Sequence, residues 1–165
     1  MKRYQLAQVN VAVPRAPVDS PLLADFVAAL DPINRLADGS PGFVWRLQTA
    51  EGNATAVRMS DERLLVNMSV WESVEALSDF VYRSDHVEVM RRRRKWFETM
   101  DLYLALWWIP RGHIPTVAEA EERLTHLRAH GPSAYAFTFR QPFPPPDATH
   151  AAAPPPRDDD RCPGP

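Results

Sequence analysis

His86 and Arg93 are the residues of this chain whose types and spacing best fit chemistry. They stand seven positions apart, and because helical residues advance about 100° per position, a helix presents both on one side. Val89 and Trp96 share that side, so it is predicted to face the core. A histidine exchanges protons near neutral pH, and an arginine beside it can stabilise an enolate or a carboxylate. We therefore predict that His86 and Arg93 are the catalytic residues.

Both residues also have a purely structural interpretation. A buried charge needs a partner or a wet cavity, because its desolvation costs several kcal/mol. Arg93 can find that partner in a carboxylate such as Asp79 or Glu88, and His86 can form hydrogen bonds at the start of its helix. Burial of these two side chains is therefore compatible with a pocket and with a structural role, and both interpretations stay open.

The basic run RRRRK at residues 91–95 is not a uniform positive patch. On a helix, Arg91, Arg92 and Lys95 point outward and Arg94 lies at the margin, whereas Arg93 points toward the apolar side. This pattern predicts that one arginine of the run differs from the others in its burial.

Polar residues on the predicted strands can line a cavity beside this helix. Asn10, Arg46 and Asn67 are of this kind. His113, in a loop between two prolines, can either reach the same cavity or lie on the surface.

The five tryptophans are numerous for a chain of this length. Packing in the core or at a dimer interface accounts for most of them, and ligand stacking is the alternative. Trp107 and Trp108 point to opposite faces of a strand, so at most one of them can line a given cavity. The predicted substrate-binding residues are Asn10, Trp45, Arg46, Asn67, Trp71, Trp96, Trp108 and His113.

Residues 64–109 must position the candidate pair, and they are predicted to form a strand, a broken helix and a second strand. The segments Leu64 to Trp71 and Tyr103 to Ile109 are apolar on both alternating faces, which is typical of strands that are covered on both sides. A first helical piece follows the first strand. The second piece begins at the cap residue Ser84 and continues to about Met100.

The rest of the chain completes the order βαββαβ and adds a C-terminal helix. Ser20 and Pro21 begin the first helix. Thr116 and Glu119 form a capping box at the start of the last one. The inward residues of that last helix are Val117, Ala120, Leu124 and Leu127. The remaining predicted segments are a strand at Tyr4–Val13, a helix at 21–39, a strand at Phe43–Gln48, a hairpin connection at 49–63 and a short strand at 136–140.

This order predicts an α+β fold, the ferredoxin-like plait, in which one antiparallel sheet carries both crossover helices on one side. The other face of the sheet then lacks a cover, although the strands are apolar on both faces. An exposed apolar face of that size is uncommon on a monomer. We therefore predict a homodimer in which two sheets pack face to face, a dimeric α/β barrel.

Composition and charge exclude several classes of protein. The 165 residues suit one domain, and a net charge of −2 provides no overall attraction to nucleic acid or to anionic membranes. No apolar run has the length of a membrane span or of a signal peptide, so a cytoplasmic protein is predicted. The only cysteine, Cys162, excludes an internal disulfide and paired cysteine ligands. No metal and no tightly bound cofactor is predicted.

The ordered domain is predicted to occupy residues 1–140. From Gln141 onward the sequence contains nine of the 17 prolines and few residues that could pack in a core. Such a composition is typical of disorder. Residues 141–165 are therefore predicted to be a disordered tail.

Three stretches of the chain resemble a known family. They are VNMSVWESVEALSDFVYRSDH at 66–86, RRRRKWF at 91–97 and GHIPTVAEAEERLTHLRAHGPSAYAFTF at 112–139. They resemble an uncharacterised bacterial family, a domain of unknown function in the dimeric α/β-barrel superfamily, which also contains the antibiotic-biosynthesis monooxygenases. The resemblance covers Tyr4 to Arg140. It implies a ferredoxin-like fold that dimerises through its sheets, and it implies no established activity.

The haem-degrading members of that superfamily allow a comparison by residue. Their asparagine on the first strand corresponds to Asn10. Their tryptophan corresponds to Phe80, and their histidine to a position near Met90 or Arg91. Because two of these three residues differ, the resemblance does not imply haem degradation.

The function predicted from these observations is binding of a hydrophobic, oxygenated small molecule. The protein is expected to be a cofactor-independent enzyme of the monooxygenase, cyclase or isomerase type. The alternative is a non-catalytic dimer that binds a ligand or haem. A third hypothesis, binding of single-stranded RNA, requires basic and aromatic residues on the sheet that neither LLVNMSVW nor YLALWWIP supplies.

Overall fold

A sheet of four strands forms the centre of the protein, whose computed structural model describes residues 2–148. The strands are β1 Tyr4–Ala12, β2 Phe43–Arg46, β3 Leu65–Trp71 and β4 Leu104–Pro110. The helices are α1 Ala24–Asp38, α2 Val74–Arg83, α3 His86–Arg91, α4 Arg93–Trp96 and α5 Val117–His130. The strands lie in the order β2-β3-β1-β4, and every neighbouring pair is antiparallel. The predicted α+β class with an antiparallel sheet is confirmed.

Helix α5 covers one face of the sheet, which we call the α5 face. Its predicted inward residues Ala120, Leu124 and Leu127 are at most 2% exposed, and they pack in one cluster with the strands. The helix begins as predicted, because the Thr116 hydroxyl accepts a hydrogen bond from the backbone N–H of Glu119 at 3.1 Å. The strand residues buried in this cluster are Ala7, Val9, Val11, Val66, Met68, Val70, Ala105, Trp107 and Ile109.

This cover removes the reason on which the predicted sheet-to-sheet dimer rests. The strands are apolar on both faces as expected, but α5 and Met59, from the connection between β2 and β3, cover the second face within the same chain. Helical periodicity identifies the apolar side of α5, not the surface against which that side packs.

The homodimer stays a prediction that the family resemblance alone supports. Light scattering at micromolar protein concentration tests it directly. The expected mass is that of two chains, and the mass of one chain would contradict the prediction.

The opposite face of the sheet, which we call the cavity face, packs against α1 and α2. Leu6 and Trp71 from the strands form a cluster there with Ala37 of α1 and Leu77 of α2. Helix α1 follows a 3-10 turn at Pro21–Leu23. The chain therefore places a layer of helix on each side of its sheet.

The helical segment after α2 is shorter and more broken than predicted. Helix α3 ends before Arg92, and α4 occupies only Arg93–Trp96, so the predicted continuation to Met100 is wrong. Phe97 is extended, with φ −128° and ψ 150°, and forms a β-bridge with Pro14. This pairing with a segment distant in sequence ends the helix, and helical periodicity cannot reveal it.

The chain after α5 packs along the edge strand β4. Phe137 forms an isolated antiparallel bridge with Leu106, in place of the predicted strand at 136–140. The Trp108 indole N–H donates a hydrogen bond to the carbonyl of Phe143 at 2.8 Å, and the Phe143 ring packs against Phe137.

Phe143, which lies in the segment predicted to be a disordered tail, is packed on the domain. Phe143 lies between two prolines, and a prediction from composition assigns it to the disordered tail together with them. Residues 149–165 of the predicted tail lie outside the described residues.

Truncation should distinguish these two parts of the tail. A chain that ends at Ala148 should keep its melting temperature, since the sequence it loses is rich in proline and aspartate. For a chain that ends at Arg140, the free energy of unfolding should fall by about 2 kcal/mol. The Trp108 indole then loses its hydrogen-bond acceptor and the Phe143 ring that packs near it. Phe143→Ala in the full chain serves as the matched point change. Identical melting curves for both truncated chains would contradict the packing of Phe143.

Candidate functional site

A cavity of about 710 Å³ lies between the cavity face of the sheet and helices α1 to α4. Sites for small molecules have volumes of about 300–1,000 Å³. Strands β1 and β3 provide the floor of the cavity, and the four helices provide its walls. Of the predicted site residues, those that line the cavity are Asn10, Arg46, Asn67, Trp71, His86, Arg93 and Trp96.

Four polar side chains form a continuous group on the cavity floor, which we call the polar strip: Gln8 and Asn10 of β1, and Asn67 and Ser69 of β3. The strand register places Gln8 opposite Ser69 and Asn10 opposite Asn67. The Gln8 amide donates hydrogen bonds to Asn67 Oδ1 at 2.7 Å and to Ser69 Oγ at 2.9 Å. Gln8 and Ser69 are buried, whereas Asn67 is exposed. The strip therefore offers hydrogen-bonding groups at one end and is enclosed at the other.

Arg93 is half-buried, whereas Arg92 and Arg94 beside it are exposed, as the sequence pattern predicts. Its Nη2 donates a hydrogen bond to the carbonyl of Val11 at 3.0 Å. The guanidinium carbon lies 4.3 Å from the centre of the Tyr103 ring. Burial lowers the pKa of Arg93 from its ordinary value. The group stays cationic at neutral pH, because the ordinary pKa of an arginine lies far above neutrality.

The predicted structural partners of Arg93 pair with other residues. Asp79 forms a salt bridge with Arg83 at 3.3 Å, and Glu88 forms one with Arg91 at 2.7 Å. The salt bridges within residues 2–148 do not include Arg93. Its structural role is therefore a backbone hydrogen bond and aromatic contacts rather than an ion pair.

His86 lines the same cavity and packs against Phe80, with 5.0 Å between the ring centres. Burial lowers the pKa of the imidazole, and the positive charge of Arg93 adds to this effect. The imidazole is therefore neutral at pH 7 and can accept a proton. At the helix start, the backbone N–H of His86 donates to the Ser84 hydroxyl at 3.2 Å, so the side chain is not needed as a cap.

The lowered pKa of His86 makes stability depend on pH. An unfolded histidine binds a proton below about pH 6.5, and folded His86 resists that proton. The unfolded state then holds more protons, so the free energy of unfolding should fall as the pH drops below 6.5. Denaturant titrations between pH 5 and 7.5 should show a smaller fall for His86→Gln. Curves that stay parallel across this range would contradict the burial of the imidazole.

Two of the predicted tryptophans contribute to the cavity wall. Trp71 is 1% exposed and stacks on Phe80, and its indole N–H donates to Ser69 Oγ at 2.8 Å. Trp96 is fully buried, and its Nε1, like Nδ1 of His86, has no hydrogen-bond partner within residues 2–148. A buried polar group without a partner costs about 1–3 kcal/mol. Both nitrogens are therefore buried without compensation from the described residues.

Arg46 closes one end of the cavity as part of an ion pair. Its Nε lies 2.7 Å from Oδ1 of Asp38 at the end of α1. Its Nη1 donates to the carbonyl of Gly52 at 2.7 Å. The residue connects β2, α1 and the β2–β3 connection, and its charge is neutralised locally.

Trp45 does not line the cavity and packs on the α5 face instead. A β-bulge between Phe43 and Trp45 shifts the register, so that Trp45 pairs with Val70. Without the bulge, Phe43 and Trp45 share one face of the strand. The predicted binding role of Trp45 is therefore not supported by its position.

Trp108 and His113 also lie away from the cavity lining. Trp108 is on the cavity face, but Phe137 and Phe143 pack around it. His113 Nε2 contacts Glu119 Oε2 at 2.8 Å, and the other oxygen of Glu119 accepts from the Trp107 indole at 2.9 Å. His113 thus belongs to the start of α5, and its predicted binding role is not supported.

Several lining residues escaped prediction from the sequence. Gln8 and Ser69 were identifiable only by their register, because isolated polar residues on strands carry no specific signal. Tyr103 precedes β4 and belongs to an apolar segment. The remaining polar lining residues outside the prediction are Asn34, Asn53, Thr55, Tyr82, Asp101, Thr138, Arg140 and Gln141.

Residues 2–148 contain neither a membrane-spanning helix nor a cluster of metal ligands. No helix there has the length and apolar character needed to cross a membrane. No group of three or more histidine, cysteine, aspartate and glutamate side chains is arranged to hold a metal ion in this part of the chain. His126 and His130 do have the spacing of a metal-binding pair on α5, but their rings pack together at 4.4 Å and His126 packs on Tyr135.

Comparisons with known proteins give a family and no activity. No curated protein matches the chain. A solved structure that resembles it is the crystal structure of the NE2512 protein of unknown function from Nitrosomonas europaea, with 12% identity and a TM-score of 0.41 over 69% of this chain and 95% of that one. The model of the family described as Domain of unknown function (DUF3291) matches residues 5–153. Since this match spans most of the sequence, the chain belongs to that family of unknown function.

Proposed function

We propose that the cavity binds a hydrophobic organic molecule with oxygen functions and that the protein converts this molecule without a tightly bound cofactor. The observation that carries the proposal is the convergence of His86, Arg93 and the polar strip on one cavity of about 710 Å³. A mostly apolar cavity with a few convergent polar groups and shifted pKa values is typical of a binding or catalytic site.

The chemistry that fits these residues begins with loss of a proton next to a carbonyl group. Neutral His86 takes the proton from carbon, and the electron pair of the broken C–H bond moves to the carbonyl oxygen to form an enolate. Arg93 stabilises the negative oxygen. The enolate can regain a proton at another carbon, attack a second carbonyl carbon, or give electrons to dioxygen, in which case one oxygen atom forms a new carbonyl group on the product and the other leaves as water. These outcomes correspond to an isomerase, a cyclase and a cofactor-independent monooxygenase.

We also propose the ferredoxin-like plait and membership of the dimeric α/β-barrel superfamily. The strand order β2-β3-β1-β4, with all pairs antiparallel, supports the plait. In a barrel formed by two copies, the partner sheet would need the α5 face. A dimer of that kind therefore requires α5 to move from the position that it occupies in the chain.

Mass spectrometry of small molecules that copurify with the protein tests the proposed binding. The matched variant is Ala29→Trp, which places a large ring from α1 into the cavity that Ala29 lines. A hydrophobic oxygenated compound should be released from the wild-type protein and be absent from this variant. Equal recovery from both proteins, or recovery of no such compound, would contradict the proposal.

Incubation of that compound with the protein in air tests the proposed conversion. Wild-type protein should change the mass or the isomeric form of the compound. His86→Gln should carry out this conversion at least about 100-fold more slowly, since a positioned general base contributes about 10²–10⁴-fold to the rate. A compound that binds in the cavity and stays unchanged would overturn the catalytic part and favour a non-catalytic binding protein.

A further inference from the structure

The charged side chains that line the cavity include more positive than negative groups. Arg46, Arg93 and Arg140 line it, and Asp101 is the carboxylate among its lining residues. Arg46 is already neutralised by Asp38. Among the lining residues within 2–148, Asp101 is thus the one carboxylate against Arg93 and Arg140, and both Asp101 and Arg140 are exposed to solvent. The enclosed part of the cavity is left with the positive charge of Arg93.

The contacts of Arg93 fix the plane of its guanidinium group. The Tyr103 ring lies 4.3 Å from the guanidinium carbon and the Phe97 ring lies 5.5 Å from it. In the described part of the chain, one hydrogen bond, from Nη2 to the carbonyl of Val11, uses one of the five N–H groups of Arg93. An arginine held in this way keeps a fork of donors that matches the two oxygens of a carboxylate.

Aromatic side chains line the same cavity as this cation. Trp96 is fully buried in the lining, and Phe80 stacks on Trp71 with 5.2 Å between the ring centres. A small inorganic anion would leave these aromatic walls without contact. A molecule with both an anionic end and an apolar ring system satisfies the cation and the walls together.

We propose that the ligand of this cavity is a lipophilic carboxylate, whose oxygens bind Arg93 and whose apolar body packs against Trp71, Phe80 and Trp96. The inference rests on the proposed function, because it names the class of molecule that the same cavity takes. It adds that the site selects for negative charge.

Two fluorescent probes of nearly equal shape test this selectivity. They are 9-anthracenecarboxylate, which is anionic, and 9-anthracenemethanol, which is neutral and keeps one oxygen. Fluorescence titrations of the full chain at pH 7.5 and low salt should give the carboxylate at least about tenfold higher affinity, because hydrogen bonds between two charged groups are stronger than those with a neutral hydroxyl group. Arg93→Met should remove this preference and leave the affinity for the methanol within about twofold.

Two further variants keep the test decisive. Arg92→Met removes an exposed charge one position away and should leave both affinities unchanged. Arg93→Lys keeps the charge but loses the fork of donors, so it should retain a reduced preference even if Arg93→Met fails to fold.

The outcomes separate this inference from the proposed function. Equal affinities for both probes in the wild-type protein would overturn the carboxylate assignment and leave a hydrophobic binding cavity. A preference that survives in Arg93→Met would overturn the role of Arg93. Binding of neither probe would overturn the proposed function, and the inference with it.

Discussion

Replacing Gly42 by alanine is expected to lower the free energy of unfolding by about 3 kcal/mol. Gly42 has φ +80°, and a Cβ added there would lie 2.6 Å from the Cβ of Ala76 on α2. The left-handed conformation costs a side chain about 1–2 kcal/mol, and overpacking adds about 1–3 kcal/mol. Thermal melts should show a drop of about 6–12 °C, at about 2–4 °C per kcal/mol for a chain of this size.

Gly52 provides the matched control for this change. It has φ +82°, but a Cβ added there meets nothing within 4 Å. Gly52→Ala should therefore lower the free energy of unfolding by about 1 kcal/mol, because only the left-handed backbone conformation opposes the new side chain. Combining Gly42→Ala with Ala76→Gly should recover part of the loss. Equal effects of the two alanine substitutions would show that β2 and α2 do not approach each other as closely as the structure has them.

Leu124→Ala should destabilise the protein by about 3 kcal/mol, the second of the two largest effects. Leu124 is 2% exposed and lies at the centre of the contact between α5 and the sheet. Truncation of a buried leucine removes its transfer free energy and leaves a cavity, with a total of about 2.7–5 kcal/mol in measured series. Denaturant titration monitored by tryptophan fluorescence measures this loss, because Trp107 is in the same cluster.

The neighbouring position supplies the control for Leu124. Thr125 is exposed on the same helix, and Thr125→Ala should change stability by no more than about 0.5 kcal/mol. If both substitutions had equally small effects, α5 would not pack on the sheet in solution. The α5 face would then be open to a second copy of the chain.

The inner side of α5 could be predicted from the sequence, but its position could not. Ala120, Leu124 and Leu127 recur at helical spacing, and all three are buried. Spacing within one helix contains no information about which surface that side contacts. The sheet-to-sheet dimer was predicted because the contact surface of α5 was unknown, which left one face of the sheet without a cover. In the structure, α5 of the same chain covers that face.

The alternating faces of β3 were predictable for a similar reason. Val66, Met68 and Val70 lie on the α5 face, while Asn67 and Ser69 lie on the cavity face, as the period of two requires. The partners of these polar residues were not predictable, since pairing with Gln8 depends on the register between strands.

Trp45 illustrates how one extra residue changes a site prediction. In a regular strand it shares a face with Phe43, but the bulge in β2 turns it to the α5 face. No glycine or proline within Phe43–Arg46 marks this irregularity in the sequence. Arg93, in contrast, has the predicted burial, because the helix around it retains enough regularity for the angular argument to apply.

The mutual pairing of amides in the polar strip has a consequence for ligand discrimination. A binding site whose buried polar groups depend on one particular partner rejects every analogue that lacks it. In this cavity, both N–H groups of the buried Gln8 amide already bind Asn67 and Ser69, so an occupant without matching groups does not strand that amide. The floor is therefore permissive toward variation in the ring system. A new selectivity could arise from one substitution that breaks the pairing, such as Ser69→Ala, and makes the freed amide demand a partner from the ligand.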